Sequence, residues 1–126
     1  MLRTVLIVGS GGFIGSVMRY MVQHIMEKVL ISTFPWGTLI ANVTGSLIIG
    51  MVFGLAGRGN VMNAEWRIFL AVGICGGFTT FSSFAYNSFS MLSERDWRAL
   101  LLNTGGNFFL SLIAVYLGVV LIRLIF

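Results

Sequence analysis

Apolar residues dominate four long stretches of this chain, and polar ones return in clusters where a bilayer would least welcome them. The apolar stretches run over about residues 4–26, 36–57, 66–92 and 99–126. Each can span a hydrocarbon core of about 30 Å, which takes about 20 residues of helix. The connections are short, so the pattern predicts one all-α membrane domain over residues 1–126, made of four antiparallel transmembrane helices. Local punctuation agrees. Pro35 is harmless at a helix start. Asn63 can cap the third helix, and Ser93-Glu94-Arg95-Asp96 has capping-box spacing ahead of the fourth. Trp36, Trp66 and Trp97 each open a segment, at the depth where indole rings favour the headgroups.

The third segment does not read as an uninterrupted helix. Gly76-Gly77-Phe78-Thr79-Thr80-Phe81-Ser82-Ser83-Phe84 places glycines and hydroxyls at its centre. Irregular backbone at that depth survives only where protein buries it or where it lines a water-filled path. The segment is therefore expected to break at mid-membrane. A helix that stops leaves carbonyls free, and one that restarts leaves N–H groups free. Half-helices at the midplane use both ends for ions. Two copies meeting there would let their carbonyls share one desolvated monovalent cation.

Two polar stripes accompany the break. Thr38, Asn42 and Ser46 recur every fourth residue on the second helix, and Asn103, Asn107 and Ser111 do so on the fourth. Residues four apart share a helix face. Hydrogen bonding between helices alone would explain either stripe; both together, beside a broken helix, point to a polar conduit. No carboxylate lies at mid-depth, since Glu27, Glu65, Glu94 and Asp96 all sit near segment ends. Cation pores and proton-coupled pumps use carboxylates inside the membrane. Amide N–H and hydroxyl groups donate hydrogen bonds to an anion, and phenyl rings carry a positive edge. This lining suits a small, hard, strongly hydrogen-bonding anion.

Composition narrows the classes further. The chain is 57% hydrophobic and only 10% charged, with mean hydropathy +0.95. That leaves no room for a soluble enzyme domain, and no nucleophile–base pair or metal-binding cluster stands out. The apolar stretch at the N-terminus runs too long for a signal peptide, and no small-x-small cleavage site follows it. The single Cys75 reads as a small buried residue. The pI near 10.0 does not imply nucleic acid, because the basic residues are scattered at helix ends. Gly9-Ser10-Gly11-Gly12-Phe13-Ile14-Gly15 misses the dinucleotide-binding spacing and lacks its strand–helix context.

The basic residues bear on orientation instead. With odd-numbered helices running one way, Arg3, Arg58, Arg67 and Arg123 fall on one side, Lys28, Arg95 and Arg98 on the other, and Arg19 lies inside the first helix. Topology follows an excess of Lys and Arg on one side, and here the excess is slight. Insertion in both orientations and pairing with an inverted copy are expected. Gly11-x-x-x-Gly15, Gly50-x-x-x-Gly54 and Gly73-x-x-x-Gly77 have the spacing that lets helices approach closely.

The Gly76–Phe84 motif, Gly11-Gly12-Phe13-Ile14-Gly15 with Arg19, and Gly37-Thr38 followed by Asn42 and Gly45 resemble the Fluc fluoride channels of the CrcB family. The likeness covers nearly the whole chain. It implies a dual-topology homodimer in the bacterial inner membrane, with two narrow pores through which cytoplasmic fluoride leaves passively. By the same likeness, the ring edges of Phe81 and Phe84 would touch fluoride and Asn42 would donate a hydrogen bond to it. Thr38, Asn107 and Ser111 would join the polar lining. The backbone carbonyls of Gly76 and Thr79 from both subunits would hold a structural Na⁺. Three departures stand out: Ala85-Tyr86-Asn87 where many relatives carry a glutamate, and Asn103 and Asn107 where tyrosine and serine are common. Arg19 matches an arginine of the family's first helix, placed near a vestibule.

Two other readings compete. Small multidrug transporters share the size, the four helices and dual insertion, but they rely on a carboxylate in the first helix, where this chain offers only Arg19. A non-transporting assembly subunit would use the same polar residues merely to lock helices together.

Overall fold

Among the described residues, four helices are long and apolar enough to cross a membrane: Leu2–Val29, Trp36–Ala56, Ala64–Ser93 and Trp97–Ile125, termed spans 1 to 4. They are seen in a computed structural model that describes residues 1–59 and 61–126. The chain is an integral, multi-pass membrane protein. Span 1 reaches farther at both ends than its hydropathy predicts, with Lys28 in its last turn beside the negative end of the helix dipole.

Asn63 caps span 3 as expected, its Oδ1 accepting from the Trp66 N–H at 2.9 Å. The start of span 4 differs from expectation. Ser93 ends span 3, and Asp96 is the cap, its Oδ1 accepting from the Ala99 N–H at 3.2 Å. Arg95, at φ 56°, takes the left-handed turn between them. Helix entry therefore follows the residue nearest the turn, not the serine three places earlier.

Glycine lets the spans meet backbone to backbone, and the three spaced pairs fall at two contacts. Gly11 of span 1 faces Gly73 of span 3, where an added Cβ would lie 2.9 Å from the opposite Cα. The second contact joins spans 2 and 4: a Cβ on Gly50 would collide with the Val115 carbonyl, and one on Gly54 would stand 3.0 Å from Ile122 Cβ. The interior is accordingly thin and built of small residues such as Ala41, Ala71, Cys75 and Ala114. Large side chains such as Leu101 and Leu124 face outward.

Spans 3 and 4 are irregular. Span 3 widens into a π-helical stretch over Ile68–Cys75, makes one helical turn at Gly76–Phe78, and then loses helical form. Thr79 (φ −80°, ψ 157°) and Thr80 (φ −148°, ψ 122°) are extended, and a fresh helix begins at Phe81. The break expected from the sequence is present. Span 4 has its own π-helical turn at Gly106–Leu110, which no feature of the sequence announced.

The basic ends group as their positions require. Arg3 pairs with Glu65 at 3.0 Å, and Arg58 Nη2 donates to the Arg123 carbonyl at 3.0 Å.

Candidate functional site

A break inside a membrane leaves main-chain groups that must find partners. Here the two threonines and one asparagine supply them. The Thr79 hydroxyl turns back and donates to the Cys75 carbonyl at 2.8 Å. The Thr80 hydroxyl accepts from the Ser83 N–H at 3.2 Å and caps the second half-helix. The Thr80 N–H, which would close on the Gly76 carbonyl in a continuous helix, donates instead to Asn42 Oδ1 at 2.8 Å. Asn42 Nδ2 returns a bond to the Thr80 carbonyl at 3.2 Å. One side chain of span 2 thus satisfies both peptide groups of an extended residue in span 3.

Asn42 is also tied to span 4. Its Nδ2 donates to Asn107 Oδ1 at 2.8 Å. Asn107 Nδ2 in turn donates to the Asn103 carbonyl at 2.8 Å and to Asn103 Oδ1 at 3.0 Å. Asn103 Nδ2 donates to Ser88 Oγ at 3.0 Å. The π-helical turn holds Asn107, so both stripe asparagines point inward and are buried. Both N–H groups of Asn42 are engaged, and an incoming acceptor must compete with a carbonyl for one of them.

Beside this network lies a cleft of about 650 Å³. It brings together Asn42, Gly76, Thr79, Phe81, Phe84, Asn107 and Ser111, with Ser46 above them and apolar walls from Ile49 and Val115. The Phe81 and Phe84 rings are tilted at 56°, with centroids 5.6 Å apart. Phe81 is 78% exposed and projects away from its own chain. Ser111 Oγ is buried and has no hydrogen-bond partner among the described residues. The positive end of the second half-helix faces the same region.

Thr38 does not join that cleft. It lies one turn earlier on span 2, in a second cavity of about 370 Å³ shared with Gln23, Ser82 and Asn87 and rimmed by Glu27. Its Oγ1 accepts from Gln23 Nε2 at 3.2 Å and from Asn87 Nδ2 at 3.5 Å. Arg19 is one turn before Gln23 on span 1, and its Nε is buried without a partner among the described residues. Thr80 lines the first cleft and Ser82 the second cavity, and their hydroxyls lie 3.3 Å apart at the break.

Two polar residues in this arrangement escape a reading of the sequence. Gln23 is a lone amide in an apolar helix, and only its contact with Thr38 gives it a place. Ser88, one turn beyond Phe84, ends the asparagine network; that spacing was the available signal.

Comparison with known proteins finds a family profile, "CrcB-like protein, Camphor Resistance (CrcB)", that matches residues 6–119. Among similar curated proteins, one from Paramagnetospirillum magneticum is 44% identical over 91% of this chain and 91% of its own length. One from Pyrococcus abyssi is 38% identical over 97% of this chain and 98% of its own. One from Leptospira interrogans is 45% identical over 73% of this chain and 72% of its own. All three bear the name Fluoride-specific ion channel FluC.

Proposed function

Because this chain belongs to the CrcB-like protein family, we propose that it is a fluoride-selective channel, not an enzyme, through which cytoplasmic fluoride leaves passively. The observation that carries this reading is 44% identity, over 91% of the chain, to a protein named for that activity. The physical chemistry of the cleft supports it. An anion reaches Asn42 only by outcompeting a carbonyl oxygen for a tightly held N–H group. Fluoride, small and strongly accepting, can do so; a larger and softer halide gains less from the same donor. The ring edges of Phe81 and Phe84, the positive part of their quadrupoles, would be turned to the ion. The Ser111 hydroxyl, buried and without a partner among the described residues, would offer a further donor. Thr38, with Gln23 and Asn87, would form the approach to this path.

The working unit in this reading is a homodimer of inverted copies. The cleft opens toward Phe81, and a Cβ on Gly76 would meet nothing within 4 Å; a second copy would cover this face. Lys and Arg are close to balanced between the two ends, as dual insertion requires. The residues present also fit a central Na⁺. Diverting the Thr80 N–H to Asn42 releases the Gly76 carbonyl from its helical partner, and Gly76 is exposed. Carbonyl oxygens are neutral, hard ligands suited to a desolvated monovalent cation. Gly76 and Thr79 of both copies would hold it, and the ion would supply positive charge where the subunits meet.

The test is efflux from proteoliposomes containing only this protein, followed with fluoride- and chloride-selective electrodes. Fluoride should leave rapidly and chloride poorly; comparable halide fluxes would refute the reading. Phe81→Ile and Phe84→Ile each keep most of the packing volume and lose the ring edge. Each should slow fluoride efflux roughly tenfold, the scale of a lost aromatic contact. Unchanged flux in both would remove the phenylalanines from the pathway.

A further inference from the structure

The ends of spans 2 and 4 enclose a third cavity, about 18 Å along span 2 from Asn42. It measures about 340 Å³ and is lined by Phe53, Gly54, Gly57, Arg58, Val119 and Arg123. Gly54 and Gly57 have no side chains to fill it. Phe53 and Val119 make its apolar part, and the two arginines its polar part. Arg58 follows span 2 by two residues, and Arg123 lies in the last turn of span 4. Trp66, in the first turn of span 3 at the same end, is 57% exposed and marks the headgroup level.

No acid brings these two cations together. Arg58 Nη2 donates to the Arg123 carbonyl at 3.0 Å, so one guanidinium is held over the end of the helix that carries the other. Among the described residues, neither arginine forms an ion pair, and Glu65, the acidic side chain at this end, is taken by Arg3. The C-termini of spans 2 and 4 do oppose an anion, each with the equivalent of about half an elementary charge. Two guanidiniums outweigh them by about one full positive charge. A guanidinium carries five N–H donors in a fork that matches phosphate oxygens. Among the described residues, only one N–H of Arg58 is spent, on the Arg123 carbonyl. The cavity is therefore short of an anion with several acceptor oxygens.

We propose that the Arg58–Arg123 cavity binds the phosphodiester of an anionic phospholipid. Depth selects a lipid over a soluble ion. Phosphodiesters are the abundant anions at the headgroup level, and Phe53 and Val119 beside two guanidiniums match an amphiphile but add nothing for free phosphate. Charge selects an anionic headgroup over a zwitterionic one. A zwitterion would bring its own ammonium to an end that already carries Arg3, Arg58, Arg67 and Arg123. Basic pockets between transmembrane helices recognise anionic headgroups by this chemistry. Bound there, the phosphate ties the ends of spans 2 and 4 together, just beyond the contact that Gly50 and Gly54 permit. The proposal does not draw on the fluoride reading.

The test is native mass spectrometry of the purified protein in detergent, titrated with phosphatidylglycerol or with phosphatidylcholine of the same acyl chains. It compares wild type, Arg58→Gln, Arg123→Gln, the double variant and Arg98→Gln, whose exposed arginine lies at the opposite end. Wild type and Arg98→Gln should hold one phosphatidylglycerol per chain, roughly tenfold more tightly than phosphatidylcholine. Each cavity substitution should weaken phosphatidylglycerol roughly fivefold and the pair roughly thirtyfold, the scale of one and two arginines near a membrane surface. In the double variant the advantage over phosphatidylcholine should disappear. Equal binding of the two lipids by wild type overturns the proposal, and that measurement needs no variant to fold. A double variant that binds phosphatidylglycerol like wild type overturns it as well. If millimolar inorganic phosphate displaces phosphatidylglycerol, the cavity takes the free anion and the lipid assignment falls. If the lipid stays on monomers and never on dimers, a second copy covers the cavity and the assignment falls likewise. None of these outcomes bears on fluoride efflux, so the channel reading stands or falls by its own test.

Discussion

Spans 3 and 4 both abandon regular helix where Asn42 bridges them, and they do so in opposite ways. Span 3 is cut: Thr79 and Thr80 are extended, and peptide groups leave the helical ladder. Span 4 is only widened: its π-helical turn at Gly106–Leu110 keeps a ladder of longer step. The cut exposes main-chain dipoles and needs a partner from elsewhere, which Asn42 provides. The widening needs no partner; it re-aims a side chain, placing the amide of Asn107 against Asn42. In the proposed channel, an ion path would gain backbone groups from the first device and a polar wall from the second.

This contrast can be tested in order of expected effect. Asn42→Asp strikes the cut. It keeps an acceptor for the Thr80 N–H, removes both donors and adds a negative charge beside the ion's path. Like charges placed together cost several kcal/mol, so fluoride efflux should fall roughly a hundredfold or more. Normal conduction by this variant would make Asn42 a purely structural residue. Asn107→Leu strikes the widening. It strips one acceptor from Asn42 and leaves the bonds to Thr80 in place, so efflux should drop only about tenfold. A larger loss than that of Asn42→Asp would invert the ranking of the two devices. Asn63→Ala touches neither. It removes the cap at Trp66 and should cost about 1 kcal/mol of stability, measured by unfolding in detergent, with efflux unchanged. A change in efflux would show that the start of span 3 is coupled to its break.

The break was legible because no lipid-facing helix tolerates Gly76, Gly77, Thr79 and Thr80 side by side. The stripes were legible because spacing of four puts Thr38 with Asn42, and Asn103 with Asn107, on common faces. What the stripes touch was not legible. Thr38 turned out to serve a different cavity from Asn42, although the two share a face, because Gln23 and Asn87 reach only the former. The π-helical stretches left no mark in Ile68–Cys75 or Gly106–Leu110, since the same residues suit either ladder. The cap of span 4 was misplaced by three residues because Ser93 and Asp96 are both competent caps; only the left-handed Arg95 between them decides the matter.

The two extended threonines also set the phase of everything that follows them. A helix turns about 100° per residue, so one residue inserted or deleted between Phe78 and Phe81 would swing the second half-helix by that angle. Phe81 and Phe84 would leave the cleft, and Ser88 would lose its place opposite Asn103. Point substitutions in this stretch can be graded by their chemistry. A change of length there is an all-or-nothing event, and descendants of this chain should vary at these positions in letter but never in number.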